Sequence, residues 1–292
     1  MTSLRTGAAT AAFCLGVASL AAAEPTAEEW ARVLNLSGRQ RMLTQKMSKE
    51  ALFVTASVNA DKLRGDLSGT TKMFEETLAA LRDGDAALGL PATENPRIVK
   101  QLDKVRDMYE ELKPVFETVI SGGVLSSDQM TVLAAKNVPL LKEMNKAVKM
   151  YERGAKKSSL SGDASAAVVI NLAGKQRMLT QKMSKEALLV ELGVDRQDNL
   201  LNLRETTALF DRTLSGLLDG DSDLELPGTD DTAIRVQLTV VSNLWGDLAP
   251  MFDGVLSGRA LSADDLATLS VDNVSLLKEM NKGVKMFEQA AN

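Results

Sequence analysis

The chain has no histidine and a single cysteine, Cys14, in its 292 residues. Zinc sites of histidine and cysteine, histidine-activated nucleophiles, haem held through these residues and structural disulfides are therefore excluded, as are the Glu-x-x-His pairs of di-iron bundles. Carboxylates can still bind Ca²⁺ or Mg²⁺, but the acidic clusters at 83–85 and 219–221 lack the calcium-loop pattern. Since no nucleophile and base pair is found either, we expect no metal, no cofactor and no enzymatic activity.

Aromatic residues are also scarce, at 4% of the chain, whereas hydrophobic residues make up 45% and charged residues 25%. This balance is typical of a soluble globular protein and not of a disordered one. Leu, Ala, Met and Lys are plentiful, and these residues favour helices packed through aliphatic side chains. The composition therefore predicts an all-α fold.

The first 23 residues have the pattern of a secretory signal peptide. Arg5 precedes an apolar stretch that ends in three alanines at 21–23, which form an A-x-A cleavage site. No later stretch approaches the roughly 18 apolar residues of a membrane span. We expect cleavage after Ala23 and export to the periplasm. Loss of Arg5 takes the net charge from −5 to −6, which argues against nucleic acid or an anionic membrane surface as a partner.

One twenty-residue segment occurs twice in the chain. Residues 35–54 read NLSGRQRMLTQKMSKEALFV and residues 171–190 read NLAGKQRMLTQKMSKEALLV, an offset of 136 with three conservative differences. The same offset relates LLKEMNKAVKMYE at 140–152 to LLKEMNKGVKMFE at 276–288. The chain is therefore a tandem duplication.

The duplication defines the domain organisation. We predict a signal peptide at 1–23, a first module at 24–153, a small polar linker at 154–164 and a second module at 165–292. In the first module, helix start and stop signals predict helices at 26–55, 61–83, 95–121 and 126–153. Four helices of this length joined by short loops form an antiparallel four-helix bundle, so we predict two tandem bundles.

Local signals support these helix limits. Thr26 with Glu29 and Ser126 with Gln129 fit capping boxes, and Gly84 is suited to end a helix. In the third helix of each module, Pro114 and Pro250 are expected to produce a kink.

The linker allows two arrangements of the modules. A four-helix bundle has both termini at one end, so the two repeated helices can lie side by side and parallel, as a pseudo-twofold pair. End-to-end stacking through one continuous helix is the alternative, which the glycines and serines of the linker disfavour.

The repeated helix has two different faces. The apolar face is ordinary bundle core and consists of Leu36, Leu43, Met47, Ala51 and Val54. The other face, here called the polar stripe, consists of Gly38, Arg41, Gln45, Ser48 and Leu52 in the first copy and Gly174, Arg177, Gln181, Ser184 and Leu188 in the second. Asn35, Met42 and Lys49 flank it in the first copy, and Met178 is the equivalent of Met42.

The polar stripe has the chemistry of an anion site. The planar fork of an arginine suits a small oxyanion such as nitrate or a carboxylate, and the amides and hydroxyls of the stripe offer further donors. If Arg41 and Arg177 met about 6–7 Å apart, they would repel by roughly 2–3 kcal/mol at an effective dielectric near 20, and an anion between them would relieve this. In the alternative interpretation, the methionines are core filler and the arginines are solvated or paired with Glu50, Glu186, Glu143 or Glu279.

The motif Asn-Leu-(Ala/Ser)-Gly-x-Gln-Arg-Met-Leu-Thr-Gln-Lys, present in both copies, resembles the start of the PilJ-type domain, a periplasmic sensory module of type IV pilus chemoreceptors. It is also similar to the periplasmic domain of nitrate/nitrite sensor kinases. In those kinases the motif arginine holds the anion between paired first helices of a dimer. The resemblance implies this role for Arg41 and Arg177, with Gly38, Gly174, Met42 and Met178 as neighbours.

Members of this family usually continue into transmembrane and output domains, and we expect none after the second module of this chain. We therefore expect an exported sensor that binds nitrate or nitrite at the polar stripe and passes its state to a partner, a membrane receptor or a sensor kinase. The alternative is an interaction module without a ligand, whose stripe docks on a membrane receptor or assembles homo-oligomers.

Overall fold

The computed structural model describes residues 24–158 and 164–290. The predicted signal peptide at 1–23 and residues 159–163 of the predicted linker lie outside the described residues. The described ranges form nine α-helices and no β-strand beyond isolated bridges. The prediction of an all-α fold with two tandem bundles is thereby confirmed.

The helices follow the same order in both modules. The first module contains α1 (Ala27–Thr55), α2 (Ala60–Asp83), α3 (Pro96–Glu110), α4 (Lys113–Ile120) and α5 (Ser127–Ala155). The second contains α6 (Ala164–Glu191), α7 (Arg196–Asp219), a 3₁₀ turn (Ser222–Leu224), α8 (Thr232–Leu256) and α9 (Ala263–Ala290).

The helix ends form where the local signals predict them. Thr26 and Ser126 each form a complete capping box with the residue three positions later, at the starts of α1 and α5. Gly84 ends α2 at φ +84°, and a Cβ at this position would lie 2.8 Å from the backbone nitrogen of Ala92. Only glycine fits there.

The two prolines of the third helices act differently. Before Pro114 the helix is interrupted, with α3 ending at Glu110 and α4 starting at Lys113. Pro250, in contrast, lies inside the uninterrupted α8. A proline ring clashes with the carbonyl four residues earlier, and before Pro250 that residue is Gly246, whose backbone adjusts more freely than that of Glu110.

The two modules pack side by side through their first helices. A Cβ at Gly38 of α1 would lie 3.8 Å from the Cα of Gly174 of α6, and the reverse distance is 3.9 Å. Further along both helices, Lys185 of α6 donates to Gln45 of α1 (3.0 Å). Corresponding parts of the two copies therefore stay adjacent, and α1 and α6 run parallel and in register. The side-by-side arrangement is therefore the one adopted, and end-to-end stacking is not.

This arrangement surrounds the repeated helix on all sides. In α1, every residue from Leu34 to Val54 is buried except Arg39 and Lys46. One face packs on the helices of its own module, and the other packs on the second copy. The polar stripe lies on the second face, at the centre of the molecule.

The close crossing predicts a strong size limit at Gly38. Gly38→Leu places a branched side chain between the two helices, and we expect it to lower the free energy of unfolding by about 1–3 kcal/mol, as overpacking does. Gly65→Ala is the control, because Gly65 lies within α2 with nothing within 4 Å of an added Cβ; it should raise stability by about 0.5–1 kcal/mol. Urea denaturation measures both. An unchanged midpoint for Gly38→Leu would contradict the crossing.

Candidate functional site

Two arginines, one from each copy of the repeat, cross to the opposite copy. Arg41 donates from Nη2 to the backbone oxygen of Asn171 (3.0 Å), and Arg177 donates from Nη2 to that of Asn35 (2.9 Å). From Nη1 each also donates to an asparagine of the last helix of its own module, Asn145 of α5 or Asn281 of α9, over 3.2 Å in both cases. We call this the arginine layer, formed by Arg41, Arg177, Asn145 and Asn281.

The two guanidinium groups lie next to each other at the glycine crossing. A Cβ at Gly38 would be 3.3 Å from Nη2 of Arg41 and 3.5 Å from Nη2 of Arg177. Because both Nη2 atoms lie this close to the same Cβ position, they are at most 6.8 Å from each other. One small anion can span such a gap, and the absence of a side chain at Gly38 and Gly174 is what leaves room for the arginine ends.

The arginines are buried without an ion pair. Arg41 and Arg177 are each 2% exposed, and no carboxylate of the described residues lies within 4.0 Å of their nitrogens. The glutamates considered as partners are paired with lysines instead: Glu50 with Lys46, Glu186 with Lys182, Glu143 with Lys146 and Glu279 with Lys282. The interpretation of solvated or ion-paired arginines is therefore not supported.

Each arginine also retains an unused donor. The Nε atoms of Arg41 and Arg177 are buried and have no hydrogen-bond partner among the described residues. Burial lowers the pKa of Arg41 to about 10, with Glu152 opposing the shift. Burial lowers the pKa of Arg177 to about 9; the neighbouring cations Arg39 and Arg41 add to that shift, and Glu288 opposes it. Both groups still carry their charge at pH 7.

The rest of the polar stripe lies further along the helices. The side chains of Gln45, Gln181, Ser48 and Ser184 are buried and make hydrogen bonds within the bundle. Ser48 is ten residues beyond Gly38, which corresponds to about 15 Å along a helix. The structure therefore does not group the serines with the arginine ends. Met42 and Met178 are buried near the crossing, at 4% and 3% exposure.

A second pair of buried cations was not identified as functional from the sequence. Lys49 and Lys185 are 1% and 2% exposed. Lys49 donates to Oδ1 of Asn273 (2.8 Å), and Lys185 donates to Oδ1 of Asn137 (2.9 Å) and Oε1 of Gln45 (3.0 Å). We call this the lysine layer, formed by Lys49, Lys185, Asn137 and Asn273. Like the arginines, these lysines cross to the opposite module and contact neutral groups only.

The asparagines of the lysine layer also connect the last helix of each module, α5 or α9, to the first helix, α1 or α6. Asn137 of α5 donates to the backbone oxygen of Thr44 and to Ser48, and Asn273 of α9 makes the same two contacts in the second module. Burial of a polar group is compensated when it is hydrogen-bonded. The sequence carries one signal of this layer, a lysine four residues after the glutamine of the polar stripe in both copies.

The interaction module considered as the alternative needs an accessible stripe. All the stripe residues from Gly38 to Ser48 and from Gly174 to Ser184 are buried between the modules. A partner could contact them only after the modules separate. Across residues 24–158 and 164–290, no cluster of three potential metal-ligating side chains occurs, and no helix has both the length and the apolarity required to span a membrane.

Comparison with known proteins relates the chain to a family and to a chemotaxis protein. A family profile described as the N-terminal region of type IV pili methyl-accepting chemotaxis transducers (PilJ) matches residues 26–136 and 159–274. The methyl-accepting chemotaxis protein McpN of Pseudomonas aeruginosa is 32% identical over 123 residues, which are 42% of this chain and 22% of that protein. The matched region thus spans about a fifth of the relative. The resemblance to PilJ-type domains is confirmed.

The lysine layer predicts a pH dependence of stability. Burial lowers the pKa of Lys49 and of Lys185 from 10.5 to about 8 in the folded protein. Below pH 8 both states hold these protons, so stability does not change. Between about pH 8 and 10.5 the folded protein loses them first, the unfolded chain binds more protons, and the free energy of unfolding rises by up to about 3 kcal/mol per lysine.

The control for this rise is the double variant Lys49→Met with Lys185→Met, which has no such lysines. Urea unfolding from pH 7 to 10 should give a steeper increase in stability for the unmodified chain than for the variant. Parallel pH profiles would show that the lysines are not desolvated.

Proposed function

The chain belongs to the PilJ family of N-terminal regions of type IV pili methyl-accepting chemotaxis transducers, and on this basis we propose that it is an exported, non-enzymatic sensor protein that binds a small oxyanion between Arg41 and Arg177. Nitrate and nitrite are the proposed ligands, because each presents planar oxygen acceptors to the forked guanidinium groups. The signal-peptide pattern at 1–23 supports export to the periplasm.

The observation that carries the proposal is the pair of buried, like-charged arginines without a carboxylate partner. At an effective dielectric near 20, two unit charges about 7 Å apart repel by about 2 kcal/mol. An anion between them adds two attractions that outweigh this repulsion and offers acceptors to the unpaired Nε donors. The asparagine side chains and backbone oxygens that the arginines contact are neutral, and Glu152 and Glu288 act on the arginines without direct contact.

Signal transfer is proposed to start from the contacts of the arginines with the opposite module. Arg41 bonds the backbone of Asn171, whose side chain donates to Glu152 in the last turns of α5. Arg177 bonds the backbone of Asn35, which donates to Glu288 in the last turns of α9. A movement of the arginines towards an anion alters both connections. We propose that a membrane receptor or a sensor kinase reads the resulting change at the helix ends.

Calorimetry with nitrate, nitrite, sulfate and chloride tests the proposal. We expect binding of the planar anions and its loss in the double variant Arg41→Ala with Arg177→Ala. A hydrogen bond to a charged group contributes about 1.5–3 kcal/mol, so removing one from each arginine should weaken binding by at least about a hundredfold.

The matched control is again Lys49→Met with Lys185→Met, which removes the same charge from the neighbouring layer. It should keep nitrate binding within a few-fold, and circular dichroism should show that all variants remain folded. Absence of binding by every anion, or equal losses in the arginine and lysine variants, would reject the arginine layer as the site.

A further inference from the structure

A groove of about 500 Å³ lies between α1, α2 and α9, on one side of the arginine layer. Buried residues at its base include Arg177 and Asn35, which are 2% and 7% exposed. Lys285 of α9 is exposed beside it. The groove therefore connects the centre of the molecule with its surface.

The base of the groove carries unused hydrogen-bonding atoms. Nε of Arg177, a donor, and Oδ1 of Asn35, an acceptor, are buried without a partner among the described residues. Buried polar atoms are nearly always hydrogen-bonded. The equivalent atoms of the other copy, Nε of Arg41 and Oδ1 of Asn171, are unpaired as well. Of the two pairs, Asn35 and Arg177 line the groove, so the groove gives a ligand or water access to them.

The lining combines positive charge with apolar surface. Arg39, Lys46, Arg177 and Lys285 are cationic, and Asp66 is the one carboxylate of the lining. Asp66 is itself paired with Lys62, and Lys46 with Glu50. Arg39, Arg177 and Lys285 are thus the lining cations without an ion pair among the described residues. The apolar part of the lining is formed by Met42, Leu43, Met73 and Leu277. This pattern suits an anion that also has an apolar part.

The size of the groove exceeds what nitrate needs. A water molecule takes about 30 Å³ of liquid volume, so a four-atom anion would fill a small fraction of the groove. Pockets for organic ligands have volumes of about 300–1,000 Å³, and the groove lies within that range.

The wall of the groove differs between the two copies of the repeat. Gly65 and Gly69 of α2 line it, and an added Cβ at either would meet nothing within 4 Å. The equivalent residues of the second module are Leu201 and Glu205. The arginine layer is thus present in both copies, whereas the open glycine wall belongs to the first module.

We propose that this groove is a binding site for an organic monocarboxylate with a short unbranched apolar chain. The carboxylate bonds the unpaired Nε of Arg177, and the chain packs on Met42, Met73 and Leu277. The groove shares Arg177 with the oxyanion site proposed above, so nitrate and the carboxylate compete for that donor, whereas the apolar part of the groove serves the carboxylate alone.

Calorimetry with acetate, butyrate and hexanoate tests the site, with butylammonium as the cationic control. Each buried methylene should strengthen binding about fourfold, so hexanoate should bind more tightly than butyrate, and acetate least. Butylammonium should not bind. No binding of any carboxylate, or affinity independent of chain length, would overturn the proposal.

Variants of the wall locate the site. Met73→Glu places a carboxylate in the lining and should weaken hexanoate binding at least tenfold, whereas Leu209→Glu, the equivalent change in the second module, should leave it unchanged.

A second variant, Gly65→Leu with Gly69→Glu, gives the wall the side chains of the second module and should also weaken hexanoate binding. The melting temperature of this variant should not fall, because both positions are open. Equal effects of Met73→Glu and Leu209→Glu would overturn the assignment to the groove.

The outcome can be distinguished from that of the nitrate experiment. Met73 lies outside the arginine layer, so Met73→Glu should leave nitrate binding unchanged. Loss of nitrate binding with retained hexanoate binding, or the reverse, separates the two sites.

Discussion

The structure depends on the burial of charged side chains where the two copies of one helix cross. Desolvating a charge costs several kcal/mol even after local relaxation, and four cations are buried along this interface: Arg41, Arg177, Lys49 and Lys185. Their partners are backbone oxygens of the opposite copy of the helix and side-chain amides of α5 and α9. The apolar cores of both bundles must offset this cost, so the interface is stable only as part of the whole assembly.

The duplication explains why both segments kept one sequence. Each arginine donates to a backbone carbonyl of the other copy, and each lysine donates to an asparagine of the other module. These bonds need the same arginine and the same lysine in both copies, so both segments are under the same constraint. Because α1 is packed on all sides, its apolar face and its polar face are constrained together. Of the three differences, Arg39 and Lys175 lie at positions that are only partly buried, and Ser37 and Ala173 are both small.

Local signals were sufficient for much of the fold and for part of the site. Capping boxes at Thr26 and Ser126 gave the helix starts, and the glycine at 38 with the arginine at 41 indicated a close polar crossing. The burial of Lys49 was missed because a helical period places it beside the stripe, and a sequence does not show that a neighbouring helix covers that side. The uninterrupted helix at Pro250 depends on its local context, and the groove depends on the relation of α2 to α9, which no local pattern encodes.

The bonding of the arginines limits how an anion can act on this fold. Nη1 and Nη2 of each arginine donate one hydrogen bond each to the protein, and Nε donates none. A planar oxyanion that takes two parallel hydrogen bonds from one guanidinium uses Nε and Nη2. Because Nη2 carries two hydrogens, it can bond the anion and keep the carbonyl of Asn171 or Asn35. The anion therefore adds a second connection beside the direct one between the modules. The binding free energy then acts on the packing of α1 against α6, since both connections lie there.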